Sequence, residues 1–192
     1  MDRPRGEKSK DIPSCALLTC GFMNPVTDKE IRASFVNCSK GEAKRANLPR
    51  GLHEVPWDDL DFLGWRDPGA LDRGYIVAER DSGLVGVTLR AASGVRRSLA
   101  KSNICSLCST AHAGTGVVLY TARRVGAAGR QGNTVGAYVC GDLACSLYVR
   151  GKKKNAAAER YLEGVPVEDQ IADTVLNLEQ FLHRILDPTA GS

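Results

Sequence analysis

Three features of the sequence predict an α+β fold. Residues 75–89 alternate as a β-hairpin, two close cysteine pairs (Cys105/Cys108 and Cys140/Cys145) bracket further β-type runs, and the C-terminal stretch carries apolar side chains at helical spacing. Together they describe β-hairpins around a four-cysteine centre, closed by a C-terminal helix.

The 192 residues suit one domain or two small ones, and 43% hydrophobic with 25% charged residues is ordinary for a globular chain. No apolar run approaches the roughly 18 residues of a membrane span, so no membrane association is expected. The start, MDRPRGEKSKDIPS, is polar and makes a poor signal peptide. Seven cysteines is an odd number, which argues against a paired disulfide framework. Without a secretion signal, the close pairs read as metal ligands in a reducing, cytoplasmic setting.

Residues 1–22 are expected to be a disordered upstream extension, because a helical pattern starts only after Met23. Cys15 and Cys20 in that extension lack a second nearby pair and are not expected to ligate metal. Thr27-Asp28-Lys29-Glu30 is a capping box, followed by Ile31, Ser34 and Phe35 on one helical face. Residues 37–51 read as a short basic helix or loop ending at Pro49, so that 23–56 form a short N-terminal helical segment. Residues 53–73, rich in Gly, Pro and Asp, read as turns rather than a regular element. The hairpin follows, with Asp81-Ser82-Gly83 as a three-residue loop and Gly83 suited to a left-handed conformation. Strands are expected at Val117–Tyr120 and Thr134–Cys140, with a flexible Gly126–Gly132 loop between them and a short helix within 141–150. Ile171, Val175, Leu178, Leu182 and Ile185 then mark a helix over 167–186 that Pro188 ends.

The chemistry lies in C-x2-C, 31 intervening residues, then C-x4-C. Two residues between thiolates let a tight knuckle offer both sulfurs to one ion. The second pair ends a strand and starts a helix, where unpaired amides favour thiolates. Four sulfurs make a closed tetrahedral zinc site with no open position for water or substrate, so Cys105, Cys108, Cys140 and Cys145 are assigned as structural zinc ligands. The competing reading is four buried thiols acting as small apolar side chains. The order of knuckle, hairpin and ligand-bearing helix over 103–150 is that of a treble clef. His112, four residues after Cys108, could replace one ligand, but a complete set of four cysteines makes it superfluous and it reads as a loop histidine; His53 and His183 read as structural or solvated. Asp58, Asp59, Asp61 and Asp67 read as turn caps or solvated carboxylates. No phosphate-cradling, nucleophile-elbow or metalloprotease motif is present, so a non-catalytic binding module without a small-molecule substrate is expected.

Charge points to an anionic partner. Between Arg96 and Lys154 lie ten basic residues and a single acid, Asp142, a net +9 in a chain whose total is +4. Nucleic acid and an acidic protein both fit that pattern.

Phe62-Leu63-Gly64-Trp65-Arg66-Asp67, the hairpin through Tyr75-Ile76-Val77 and Leu84-Val85-Gly86, the Ile104-Cys105-x-x-Cys108 knuckle, and Gly136-Ala137-Tyr138-Val139-Cys140 with Cys145 behind it occur in that order. Residues 57–186 thereby resemble the C-terminal treble-clef domain of the elongation factor G-binding proteins, the FusB-type fusidic acid resistance proteins. They look closest to the shorter FBP-domain members. The resemblance implies an FBP-type domain over 57–188, zinc on the four cysteines, and elongation factor G as partner, released from a stalled ribosome. It places Ile104 and Tyr138 near the factor-binding face, and Phe181, in a partly kept aromatic pattern, among the partner-binding residues. Lys152, Lys153 and Lys154 are expected to steer the encounter. Val135 stands where the resistance proteins carry a lysine, and their long helical bundle has no counterpart between Met23 and Trp57. An RNA- or ribosome-binding zinc module is the alternative function.

Overall fold

The computed structural model describes residues 22–92, 103–112, 114, 116–154 and 164–187. The extension with Cys15 and Cys20, the basic residues Arg96, Arg97 and Lys101, and Pro188 lie outside the described residues.

One antiparallel sheet organises the chain. Strands β1 (Leu63–Arg66), β2 (Arg73–Arg80), β3 (Gly83–Ala91), β6 (Val117–Arg123) and β7 (Thr134–Cys140) lie in the order β1-β2-β3-β6-β7. A two-stranded ribbon of β4 (Asn103–Ile104) and β5 (Ala111–His112) stands apart from it. Because side chains alternate across a strand, β2 feeds two cores. Tyr75 and Val77 face one side, together with Leu63 and Trp65 of β1. Ile76 and Ala78 face the other, together with Val87 and Leu89 of β3.

The first side is an aromatic layer. Helix α1 (Asp28–Ser34) starts at the expected capping box, with Thr27 and Glu30 exchanging both bonds. The short basic helix expected after residue 37 is α2 (Lys40–Arg45), and a second capping box, Ser39 with Glu42, starts it. Trp65 stacks on Tyr75 with ring centroids 4.9 Å apart, and Phe35 tilts against both. Met23, Ile31, Trp57 and Leu60 complete this core.

The other side holds the cysteines, the short helix α4 (Cys145–Val149) and the long helix α5 (Val167–Leu186). Residues 170, 174, 178, 181, 182 and 185 of α5 are buried, so the buried stripe is rotated from the expected Ile171/Val175 line. Its end is fixed where Val125 donates its amide to the Ile185 carbonyl. Arg80 of β2 pairs with Glu179 on the same helix.

Three sequence expectations need correction. Residues 63–66 are a strand, since pairing with β2 overrides their turn-like composition; a Cβ on Gly64 would collide with the Leu143 carbonyl. The β2–β3 loop is the two residues Asp81-Ser82, because Arg80 pairs with Gly83, whose φ is +105°. Gly126–Arg130 is a short helix, α3, rather than a flexible loop; Gly129 fits there because a Cβ would strike the Arg124 carbonyl.

Candidate metal centre

The two cysteine pairs reach one point from three elements. Cys105 and Cys108 sit in the turn between β4 and β5, Cys140 ends β7, and Cys145 opens α4. The turn closes through Cys105 N–H to the Thr110 carbonyl and Ser109 N–H to the Cys105 carbonyl, both 3.0 Å, with Ser109 in the left-handed region (φ 53°). Leu143 at φ 61° reverses the chain between Cys140 and Cys145. These two non-glycine residues accept a costly conformation where the chain must present sulfur inward.

All four sulfurs lie within 4.8 Å of one another, and all four residues are buried. Cys105 Sγ is 3.7 Å from Cys145 Sγ, and Cys108 Sγ is 3.5 Å from Cys140 Sγ. The edge of a tetrahedron drawn at a zinc–sulfur distance of about 2.3 Å is roughly 3.8 Å, so the sulfurs fit that ion closely. Charge supports the same fit. Burial pushes the Cys105 thiol up, but hydrogen bonds from Cys108, Cys140 and Cys145 outweigh it and hold it well below the usual thiol range. The Cys140 and Cys145 thiols are pushed up, first by their hydrogen bonds to Cys105 and Cys108. Four thiolates gathered at one buried point would need a dication to balance their charge.

The surroundings are polar and organised. His112 is buried, with Nε2 3.2 Å from Cys140 Sγ and its ring edge-on to Tyr148 at 4.8 Å. It is therefore a strand residue beside the sulfurs, not a loop histidine. Its place, four residues after Cys108, was the only sequence signal for it. Leu107 N–H points at Cys105 Sγ at 3.4 Å. Tyr148 donates to Asp142 Oδ2 (2.9 Å), which also pairs with Lys153 at 2.8 Å. Burial pushes the Asp142 carboxyl up, but bonds from Lys153, Ala144 N–H and Tyr148 outweigh it and leave it below the ordinary range. Burial and then the Asp142 bond push Tyr148 well above its ordinary value.

The other singled-out residues are spread differently. Tyr138 is 44% exposed on β7, two residues before Cys140, and its carbonyl accepts the Ser106 N–H at 2.6 Å. Ile104 is half-buried beside Cys105. Lys152, Lys153 and Lys154 are exposed; Lys152 lies 3.5 Å from Asp59. Phe181 is 1% exposed and packs in the core, so a direct surface contact for it is corrected to a structural role. Val135 is likewise buried. His53 and His183 are exposed, beside Glu54 and Asp187. Asp67 caps its turn, as expected, by accepting from Gly69 and Ala70 amides. Asp61 departs from expectation: its side chain is 3% exposed and grips Arg150 through two bonds of 2.7 and 2.8 Å.

The FBP C-terminal treble-clef zinc-finger family matches residues 30–185, a stretch that begins inside α1 and so takes in the aromatic layer. Comparison with curated proteins gives no match. Among solved structures, the fusidic acid resistance protein FusC aligns at 18% identity and a TM-score of 0.45, covering 74% of this chain and 53% of that one. The chain thus spans about half the length of that protein.

Proposed function

The chain belongs to the FBP C-terminal treble-clef zinc-finger family, and from that membership we propose that it is a non-catalytic zinc protein that binds elongation factor G and promotes its release from the ribosome. Cys105, Cys108, Cys140 and Cys145 hold the zinc ion. The ion supplies a structural crosslink between the knuckle, β7 and α4, and a site closed by four thiolates leaves no position for substrate chemistry. No helix among the described residues is long and apolar enough to cross a membrane.

The observation that carries this reading is Tyr138. It is a large exposed side chain on the strand that ends in Cys140, and its backbone is bonded to the knuckle through Ser106. An aromatic group presented on a rigid strand is the kind of anchor that dominates retention at a protein interface. Ile104, half-buried beside the knuckle, extends the apolar contact. The exposed lysines 152–154 act as rim charges that raise the association rate toward an acidic face.

Titration of the purified protein against elongation factor G tests the proposal. Tyr138→Ala is expected to weaken binding by roughly 1–3 kcal/mol, mostly through faster dissociation. No binding of the wild-type protein to the factor would overturn it.

A further inference from the structure

On the outward side of the sheet, away from the cysteines, β3 and β6 pair only at Arg90–Thr121 and Ala91–Tyr120 and then diverge. Asn37 fills the gap. Its amide nitrogen donates to the carbonyls of Thr88 and Arg123 (3.0 and 3.1 Å), and its oxygen accepts the Thr88 amide at 2.8 Å. Over this plug runs a groove made of three abutting cavities of about 360, 120 and 40 Å3. Cys38 and Glu42 border all three, Arg123 the first two, and Arg90 the last two.

The chemistry of this groove is one-sided. Among the described residues, Arg73, Arg90, Arg123, Arg124 and Arg130 line it against a single carboxylate, Glu42. That carboxylate is already held by the Ser39 amide and hydroxyl of its capping box. Arg90 pairs with Asp72, and Arg124 donates to the Asp187 carbonyl, so the exposed Arg123 and Arg130 are the groups best placed to meet a ligand. Between the arginines lie the exposed Thr134 and the side chains of Thr88 and Thr121, whose hydroxyls already donate to Asn37 Oδ1 and the Arg90 carbonyl.

We infer that this groove binds the phosphodiester backbone of single-stranded RNA. Guanidinium forks match phosphate oxygens, and hydroxyl and amide groups are the usual auxiliary contacts to phosphate and 2′-OH. The three cavities meet around Cys38 and Glu42, and their volumes of about 360, 120 and 40 Å3 are on the scale of nucleotide units rather than a duplex. A protein partner fits less well, because among the described residues no aromatic anchor lines the second cavity or the first, whose apolar lining is Val36 and Val125. The groove is independent of the factor-binding reading, since neither Tyr138 nor the lysines line it.

The test is fluorescence anisotropy of a labelled oligouridylate, titrated with full-length protein between about 50 and 200 mM salt, where phosphate contacts are felt most strongly. Wild type should bind at low salt with a linear loss of affinity as salt rises. Arg123→Gln/Arg130→Gln should bind about tenfold more weakly and flatten the slope by about 1.4, two contacts at roughly 0.7 each on a single strand. Lys152→Gln/Lys154→Gln, outside the groove, should keep most of the wild-type affinity. The arginine variant should still bind elongation factor G as wild type does, which separates this inference from the proposed function and shows that the variant is folded. The inference is overturned by no RNA binding at low salt, or by an unchanged slope in the arginine variant. It is equally overturned if the lysine variant alone loses binding, or if uridine monophosphate competes as well as the oligomer does.

Discussion

The two faces of the sheet are built on different physics, although alternate residues of one strand, β2, serve both. The aromatic layer is held by side-chain burial and ring contacts: Trp65 on Tyr75, Phe35 across both, Ile31 and Val77 fully enclosed. The cysteine face has its own apolar core in Tyr120, Phe181, Leu182 and Ile185, but its short ribbon and short helix α4 meet at four sulfurs. A two-residue strand pair and a five-residue helix are too short to be stable alone. One face can therefore persist on packing, whereas the ribbon and knuckle on the other need a crosslink.

The sharpest test of that contrast is at the sulfurs. Chelation of the metal should remove apparent binding free energy on the order of 10–16 kcal/mol from the knuckle region, and Cys108→Ser part of it. Hydrogen exchange should then show amides of 103–112 and 140–150 opening while those of the β2–β3 hairpin stay protected. Uniform loss of protection across both faces would show that they are not separable.

A smaller effect is expected where the two faces are tied together. Asp61 lies in the segment leading into β1, and its partner Arg150 ends α4, 89 residues further along the chain. The pair is almost wholly enclosed, so Asp61→Asn leaves a buried guanidinium without its counter-charge, at a cost of about 3–5 kcal/mol. Urea denaturation measures the loss; Asp61→Asn/Arg150→Met should recover part of it.

The smallest expected effect is confined to the aromatic layer. Burial pushes the Asp67 carboxyl up, but hydrogen bonds from Asn47, Gly69, Tyr75 and Ala70 outweigh it and leave it below the ordinary carboxylate range. A native value below the unfolded one means that Asp67 contributes its full stability above about pH 4. That contribution is lost as pH falls through the lowered native value. The stability gap between wild type and Asp67→Asn, read by urea titration at a series of pH values, should therefore shrink only in that acidic window. A constant gap would assign the effect to shape rather than charge.

Much of this architecture was legible because local signals and tertiary structure agreed. The strand 134–140, the capping box at Thr27 and the C-terminal helix occur as their patterns imply, and cysteine spacing alone brought the two pairs to one centre. What was hidden depends on partners distant in sequence. Residues 63–66 become a strand only because β2 lies alongside, and Asp61 looked like a turn carboxylate because nothing local announces Arg150. His112 reaches Cys140 only after the ribbon folds back. The arginine groove joins residues from α2, β3 and the β6–α3 junction, so no window of sequence contains it. Phe181 looked available because the aromatic pattern does not say which side of α5 is covered.

The proposed centre is closed by four thiolates, with His112 beside it rather than in it. Zinc-edge X-ray absorption on protein purified without added metal tests this most directly. One zinc per chain surrounded by four sulfur scatterers at about 2.3 Å is the expected result. A folded protein without zinc, or a nitrogen at about 2.0 Å replacing one sulfur, would contradict it.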